Sequence, residues 1–400
     1  MLRDVLTRRV LAAAARAAKD HATPFYLFDS RELLRQARAW RRAAEAIRSA
    51  GVFYPYKCNR VDPVIGLLAR EGLGAEVTSL ADFRHASRLG LEGERLVVQG
   101  PAKSRELLDA GLAAGALFVA DGREDALALL DRARALSIRP RYLLRLAPLA
   151  ADAEQRGFGL PARQMLVLAR EISLRGAPAP DGLAFHLGTG ISRTDPYLRA
   201  LEETAKVAGA LTKLGIAISL LDLGGGFAAR SEYRFDARNR PQAAGKDAGA
   251  ILPALAGRAR RLLGRDVPLL FEPGRALVSG SFHLVARVVR VRAARPRTTV
   301  YLDASHLSHA LFITRRRHPI AAIPRRRGIG RAVALAGPLG VGLDVFAPSV
   351  RLQRLQPGDL VVIGSVGAYN VNAANTWTGP IPPVISLRPL SPRERAGVRA

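Results

Sequence analysis

Between Val52 and Glu272 the chain alternates short apolar runs with amphipathic stretches, and this alternation limits its fold more than any other feature. The runs are Val52–Tyr56, Ala75–Thr78, Leu96–Gln99, Leu117–Ala120, Tyr142–Leu146, Leu183–Leu187, Ser219–Leu223 and Leu269–Phe271. Segments such as Pro63–Arg70, Leu80–Leu89, Lys103–Ala113 and Arg123–Ala135 lie between them and read as helices. Strands alternating with helices imply a parallel sheet. Eight such units fit a closed (β/α)8 barrel of the α/β class, assigned to residues 24–275. A doubly wound open sheet is the other arrangement this pattern allows.

After Arg275 the texture changes. Val285–Val291, Thr299–Leu302, Ala332–Leu335 and Leu360–Ile363 read as strands with few helices between them, and turns such as Pro357-Gly358-Asp359 punctuate the region. Residues 276–389 are therefore expected to form a C-terminal β domain. Residues 1–23 are expected to associate with it, and the basic tail 390–400 to be disordered. An apolar fraction of 48% supports a substantial core over 400 residues.

The formal net charge of +27 raises the question of nucleic acid. The excess is nearly all arginine and is dispersed. No zinc-finger spacing, basic recognition helix or aromatic-basic interleaving accompanies it, so compositional bias is the better account. Two local runs, Arg315-Arg316-Arg317 and Arg325-Arg326-Arg327, are candidates for a patch facing an acidic partner. The single cysteine, Cys58, excludes an intramolecular disulfide and a multi-cysteine metal site. No apolar run approaches the roughly 20 residues that cross a bilayer. The first twenty residues lack a signal-peptide core and carry Asp4 and Asp20. A soluble cytoplasmic protein is expected, with no nucleic-acid or membrane partner.

In a barrel, reactive groups sit at the C-terminal ends of the strands. Lys57 ends the first run, in Tyr54-Pro55-Tyr56-Lys57-Cys58-Asn59. Among aromatics its amine is expected to lose its proton, which suits a Schiff-base lysine; a snorkelling lysine at a strand end is the plainer reading. Glu76 lies in the second run, Arg145 in the fifth, and His186-Leu187-Gly188-Thr189-Gly190 closes the sixth. Gly224-Gly225-Gly226 follows the seventh and Glu272-Pro273-Gly274-Arg275 the eighth. Singly, the glycines are a flexible turn, His186 a core histidine and Glu272 a salt-bridge partner of Arg275. Together they supply a lysine, a phosphate cradle, a flat ring and a carboxylate on one rim, the parts that hold pyridoxal 5'-phosphate (PLP).

These motifs, in this order from about Pro24 to Pro389, resemble the fold-type III PLP-dependent decarboxylases, which include the ornithine, lysine/arginine and diaminopimelate enzymes. The resemblance implies an alanine racemase-like barrel followed by a β domain. It also implies a head-to-tail homodimer with shared active sites and a small amino acid substrate. It makes Lys57 the Schiff-base residue and sets Glu76 near the pyridine ring. It stacks His186 on the cofactor and gives Glu272 the pyridine nitrogen. Thr189, Gly224, Gly225, Gly226, Gly274 and Arg275 fall at the phosphate, Arg145 near the cofactor, and Tyr369 of Gly367-Ala368-Tyr369 reaches the phosphate. Lys57, His186 and Glu272 are the catalytic candidates. Arg275, Asp303, His318 and Tyr369 are the substrate-binding candidates.

One block departs from the family pattern. Gly337-Pro338-Leu339-Gly340-Val341-Gly342-Leu343-Asp344 has Gly340 and Val341 where the family carries a cysteine and an acid. There the cysteine is implicated in returning a proton to the substrate, and the acid reads the far end of a diamino acid. Cys58 is read as a small buried hydrophobe rather than a substitute. A decarboxylase for a specialised substrate is therefore expected, such as a siderophore intermediate or an aminoacyl group on an acidic carrier protein. A PLP-dependent racemase and a non-catalytic decarboxylase paralogue are the competing readings.

Overall fold

The computed structural model describes residues 5–49, 51–152, 155, 157–235, 241–243, 245–294, 297–311, 318–326 and 328–388. In chain order the elements begin with α1 (Arg8–Asp20), β1 (Phe25–Phe28), α2 (Ser30–Ala46), β2 (Gly51–Pro55), α3 (Asp62–Arg70), β3 (Gly74–Val77), α4 (Leu80–Arg88) and β4 (Leu96–Val98). They continue with α5 (Arg105–Ala113), β5 (Leu117–Ala120), α6 (Arg123–Ala135), β6 (Arg141–Leu146), α7 (Ala162–Leu174), β7 (Gly182–Phe185), α8 (Asp195–Lys213) and β8 (Leu220–Asp222). Next come β9 (Tyr233–Phe235), β10 (Pro241–Ala243), α9 (Ala248–Leu263), β11 (Leu269–Phe271) and α10 (Arg275–Val278). The last part holds β12 (Phe282–Arg292), β13 (Thr298–Leu302), β14 (Ile320–Ile323), β15 (Arg331–Ala336), β16 (Val345–Leu352), β17 (Leu360–Gly364), α11 (Asn370–Ala373) and β18 (Val384–Ser386).

Eight strands, β2 to β8 and β11, close into a parallel barrel, so the open-sheet alternative does not occur. The barrel is filled from within by Phe53, Val97, Leu117, Val119, Leu143, Ala184 and Leu270. Their chain neighbours, such as Tyr54, Leu96, Phe118, Leu144 and Leu183, pack outward against the helices. Burial on both faces is why these strands read as short continuous apolar runs. Helices α4 and α5 start where a serine caps them: Ser79 Oγ accepts from the Asp82 amide at 3.1 Å, and Ser104 Oγ from the Leu107 amide at 3.2 Å.

The second sheet runs β14-β17-β12-β13-β15-β16, with β1 pairing both β12 and β18. Phe25–Phe28, assigned from sequence to the barrel unit, is thus a strand of the C-terminal sheet, and the barrel unit opens with α2. Its partner strand lies more than 250 residues away, which no local pattern records. Helix α1 lays Val10, Leu11 and Ala14 against Phe25, Leu27, Val285, Leu360 and Val362 of this sheet.

Arginines are spread over the helices and pair locally, as in Arg123–Glu171 at 2.6 Å and Arg38–Glu71 at 2.7 Å. Of the two arginine runs, Arg315–Arg317 and Arg327 lie outside the described residues, as does the tail 390–400. Arg326 donates to Asp359 at 2.8 Å. No helix among the described residues is long and apolar enough to cross a membrane.

Candidate active site

Lys57 occupies the turn after β2, and its Nζ lies 2.8 Å from each carboxylate oxygen of Glu76 on β3. Glu76 is fully buried, whereas 44% of the Lys57 side chain is open, so the ammonium faces the barrel mouth. The expectation that burial strips its proton is not met. Burial does oppose the charge, but the Glu76 carboxylate, by its charge and its hydrogen bonds, outweighs it and raises the Lys57 pKa.

Two further carboxyls meet beneath this ion pair. Glu272, just past β11, accepts a hydrogen bond from Gln99 Nε2 and shares another with Asp222. Asp222 is 1% and Glu272 3% exposed. Burial first, then mutual repulsion, keeps the pair holding a proton well above the usual carboxylate range. Glu272 therefore stands as a proton-carrying acid close to Lys57.

The glycine turn after β8 is bound tightly into the barrel. Asp222 accepts from the Gly224 amide at 2.8 Å, His186 Nδ1 from the Gly225 amide at 3.2 Å, and the Gly225 carbonyl from Tyr197 Oη at 2.7 Å. Gly224 and Gly226 have φ of 64° and 87°, and a Cβ on either would strike a backbone carbonyl, that of Phe185 or of Gly188. The cradle is narrower than the three amides expected from sequence. Only the Gly226 amide makes no hydrogen bond among the described residues. Accepting at Nδ1, the His186 ring is neutral; burial and the charges of Lys57 and Arg145 push its pKa down to about 3.

Arg145 on β6 is held by Asp121 at 2.6 Å and Gln155 at 3.2 Å, with Phe158 under its guanidinium. Arg275, at the start of α10, reaches Thr189 Oγ1 at 3.4 Å and lies 5.1 Å from the centre of the Tyr369 ring. Tyr369 is fixed by its own amide, which donates to the Cys58 carbonyl at 2.7 Å. Gly274 is needed for packing: a Cβ there would lie 2.8 Å from Pro55 and 3.1 Å from Cys58 Sγ. Cys58 is fully buried, and burial pushes its thiol up to about 12, so it is an inert apolar filler.

One expected substrate contact, Asp303, is held elsewhere. Asp303 accepts from Thr23 Oγ1 at 2.5 Å and from the Arg287 amide at 2.8 Å, tying the N-terminal segment to the second sheet. His318 bonds the Gly364 carbonyl at 3.0 Å, close enough to Arg275 and Glu232 to feel their charges, and is neutral because burial lowers its pKa to about 4. Gly340 and Val341 lie in the β15–β16 turn, Gly340 with φ of 66° and Val341 41% exposed.

Gln99, Asp121, Asp222 and Glu232 belong to the mouth although no sequence motif singles them out. The first three sit at or just after strand C-termini, where the barrel rule points. Glu232, which holds Arg275 at 2.7 Å, lies in an ordinary-looking polar loop and gives no such signal.

Residues 30–279 match the model of the family described as "Pyridoxal-dependent decarboxylase, pyridoxal binding domain". The diaminopimelate decarboxylase of Helicobacter pylori is 26% identical over 373 residues, covering 89% of this chain and 88% of that one. A crystal structure of diaminopimelate decarboxylase from Helicobacter pylori complexed with L-lysine has a TM-score of 0.82 at 23% identity, covering 94% of both chains. Antizyme inhibitor 2 of Xenopus laevis is 24% identical over 379 residues, covering 89% of this chain and 78% of that one. PLP fits the residues present: an accessible lysine, an unbonded Gly226 amide beside Arg275 and Thr189, and a buried acid able to meet a ring nitrogen. The chain belongs to the pyridoxal-dependent decarboxylase family of fold-type III, a carboxy-lyase that uses PLP.

Proposed function

We propose that this protein decarboxylates a specialised amino acid rather than a standard diamino acid, with Lys57 holding the cofactor covalently. The observation that carries the substrate reading is the turn between β15 and β16. It presents Gly340 and Val341 where the family pattern expects a cysteine and an acid, with Val341 41% exposed and Leu343 beside it 74% exposed. A distal ammonium brought there would lose hydration without gaining a partner. An uncharged or masked far end, including one linked to a carrier, suits the turn better. The exposed apolar side chains of Val341, Leu343 and Trp377 suit coverage by a second copy in a cytoplasmic homodimer.

When bound, PLP supplies the sink for the electron pair released as the Cα–carboxylate bond breaks. The chain's own residues do the rest. Glu272 would bring a proton to the ring nitrogen, and its burial, together with Asp222, holds that proton at neutral pH. Neutral His186 offers a flat face without competing charge. Freed from the cofactor, Lys57 would be held by Glu76 as an ammonium able to return a proton, since Cys58 is fully buried and Gly340 has no side chain. The amide of Gly226, with Thr189, Arg275 and Tyr369, would receive the phosphate.

The test is an absorbance spectrum before and after borohydride, peptide mass analysis around Lys57, and a screen for carbon dioxide release across amino acids with charged and uncharged far ends. Cofactor fixed on Lys57, with release favouring an uncharged end, is expected. Fastest release from lysine, ornithine or diaminopimelate would overturn the substrate reading. Cofactor on Lys57 with inverted substrate and no carbon dioxide would point to a racemase.

A further inference from the structure

The loop leaving Gly226 brings a second charge to the anion end of the mouth. Glu232 is 3% exposed, and its Oε1 accepts from Arg275 Nη1 at 2.7 Å and from Ser279 Oγ at 2.9 Å. The neighbouring backbone is pinned by Ser365 Oγ, which donates to the Ser231 carbonyl at 3.0 Å. Glu232 is thus built into place rather than swinging at the surface. Arg275 is itself 5% exposed, covered by Tyr369, with Nε on Thr189 and Nη2 making no hydrogen bond among the described residues.

Arginine binds phosphate strongly because its planar fork offers two parallel N–H donors and an uncompensated charge. Here one terminal nitrogen is already occupied and the charge is matched by a buried carboxylate. A phosphate reaching the Gly226 amide meets an arginine already paired with a carboxylate, with a single terminal nitrogen left that makes no hydrogen bond among the described residues. In this poorly solvated corner the Glu232 carboxylate also repels the incoming dianion. A buried pair whose only task was to hold α10 would not need to stand beside Thr189 and the one unbonded amide of the glycine turn.

We propose that Glu232 is a positioning residue that sets cofactor affinity: an internal competitor for Arg275 that weakens the phosphate contact, so that retention of PLP rests mainly on the covalent bond to Lys57. Full-length protein is stripped of cofactor and titrated with PLP, with pyridoxal, which lacks the phosphate, and with inorganic phosphate as a competitor of PLP. Glu232→Gln keeps the side-chain shape and the Ser279 contact while removing the charge. It is expected to tighten PLP and inorganic phosphate about tenfold, the scale of a regained charge-assisted hydrogen bond, and to leave pyridoxal unchanged. A purely structural role predicts the opposite sign, weaker PLP binding. Unchanged or weaker PLP binding, or equal tightening of pyridoxal, overturns the proposal. Glu232→Asp retracts the carboxylate by one methylene and should shift phosphate affinity the same way by less; it carries the test where the Gln variant fails to fold, and weaker binding there is equally decisive. Wild-type protein that takes up neither PLP nor pyridoxal would overturn the cofactor assignment instead, and this proposal with it.

Discussion

A lysine set among aromatics is expected to lose its proton, and Lys57, partly open at the mouth, keeps one because Glu76 meets it with both oxygens at 2.8 Å. The same contest runs the other way at Asp222 and Glu272, where burial and like charge hold a proton in place. The native pair binds a proton at pH values where the unfolded carboxyls, with pKa near 4, have released theirs. Native protein then binds more protons than unfolded protein, so this contribution to stability falls as pH rises. The buried histidines His186, His283, His309 and His318, held neutral, have the opposite sign between about pH 4 and 6.5. Asp222→Asn leaves them untouched. Melting curves of cofactor-free protein from pH 5 to 8 should therefore show a shallower loss with rising pH in the variant than in wild type. Each unit by which the pair's pKa falls removes about 1.4 kcal/mol of pH-dependent stability. Parallel curves would mean that the two carboxyls do not share a proton. The candidates Lys57, Glu76, Arg145, His186 and Glu272 were legible from sequence because each ends or lines a barrel strand. Their protonation was not, because it depends on which strand ends are neighbours around the barrel.

At the scale of the element, the glycine turn holds its shape through the aromatic residue on its C-terminal side. Phe227 stacks on Tyr197 at 4.7 Å with the planes 4° apart, and meets Trp40 edge-on at 4.9 Å. These rings come from α8 and α2, so the turn is clamped between two helices of the barrel's outer layer. Phe227→Ala should cost about 3–5 kcal/mol in urea unfolding, the range for a fully buried aromatic, and should also loosen cofactor retention through Gly226. A loss below about 1 kcal/mol would show that the stack does not anchor the turn. Sequence announced the glycines but not how many of their amides were free. Gly224 and Gly225 turn out to spend theirs on Asp222 and His186, side chains from two different strand ends.

Across the whole molecule, the N-terminal segment works as a strap between the two halves. Helix α1 covers the second sheet, Arg9 pairs with Asp29 at the cap of α2, and Asp303 joins Thr23 to the Arg287 amide. Asp303 was expected to touch substrate, and these contacts give a measurement that separates the two roles. Asp303→Ala should lower stability by about 1–3 kcal/mol, the cost of leaving its partners unsatisfied, with little change in KM. A raised KM at unchanged stability would return Asp303 to the substrate site.

The barrel, the β domain after it and most of the residues gathered at the barrel mouth follow from sequence alone. A parallel strand buried on both faces must be a short apolar run, and a barrel must collect its reactive groups at strand C-termini. Tertiary structure alone decided that Phe25–Phe28 completes the second sheet, that Asp303 is a strap, and that Glu232 faces Arg275. Each depends on a contact between residues far apart in the chain, and local hydrophobic periodicity carries no record of such partners.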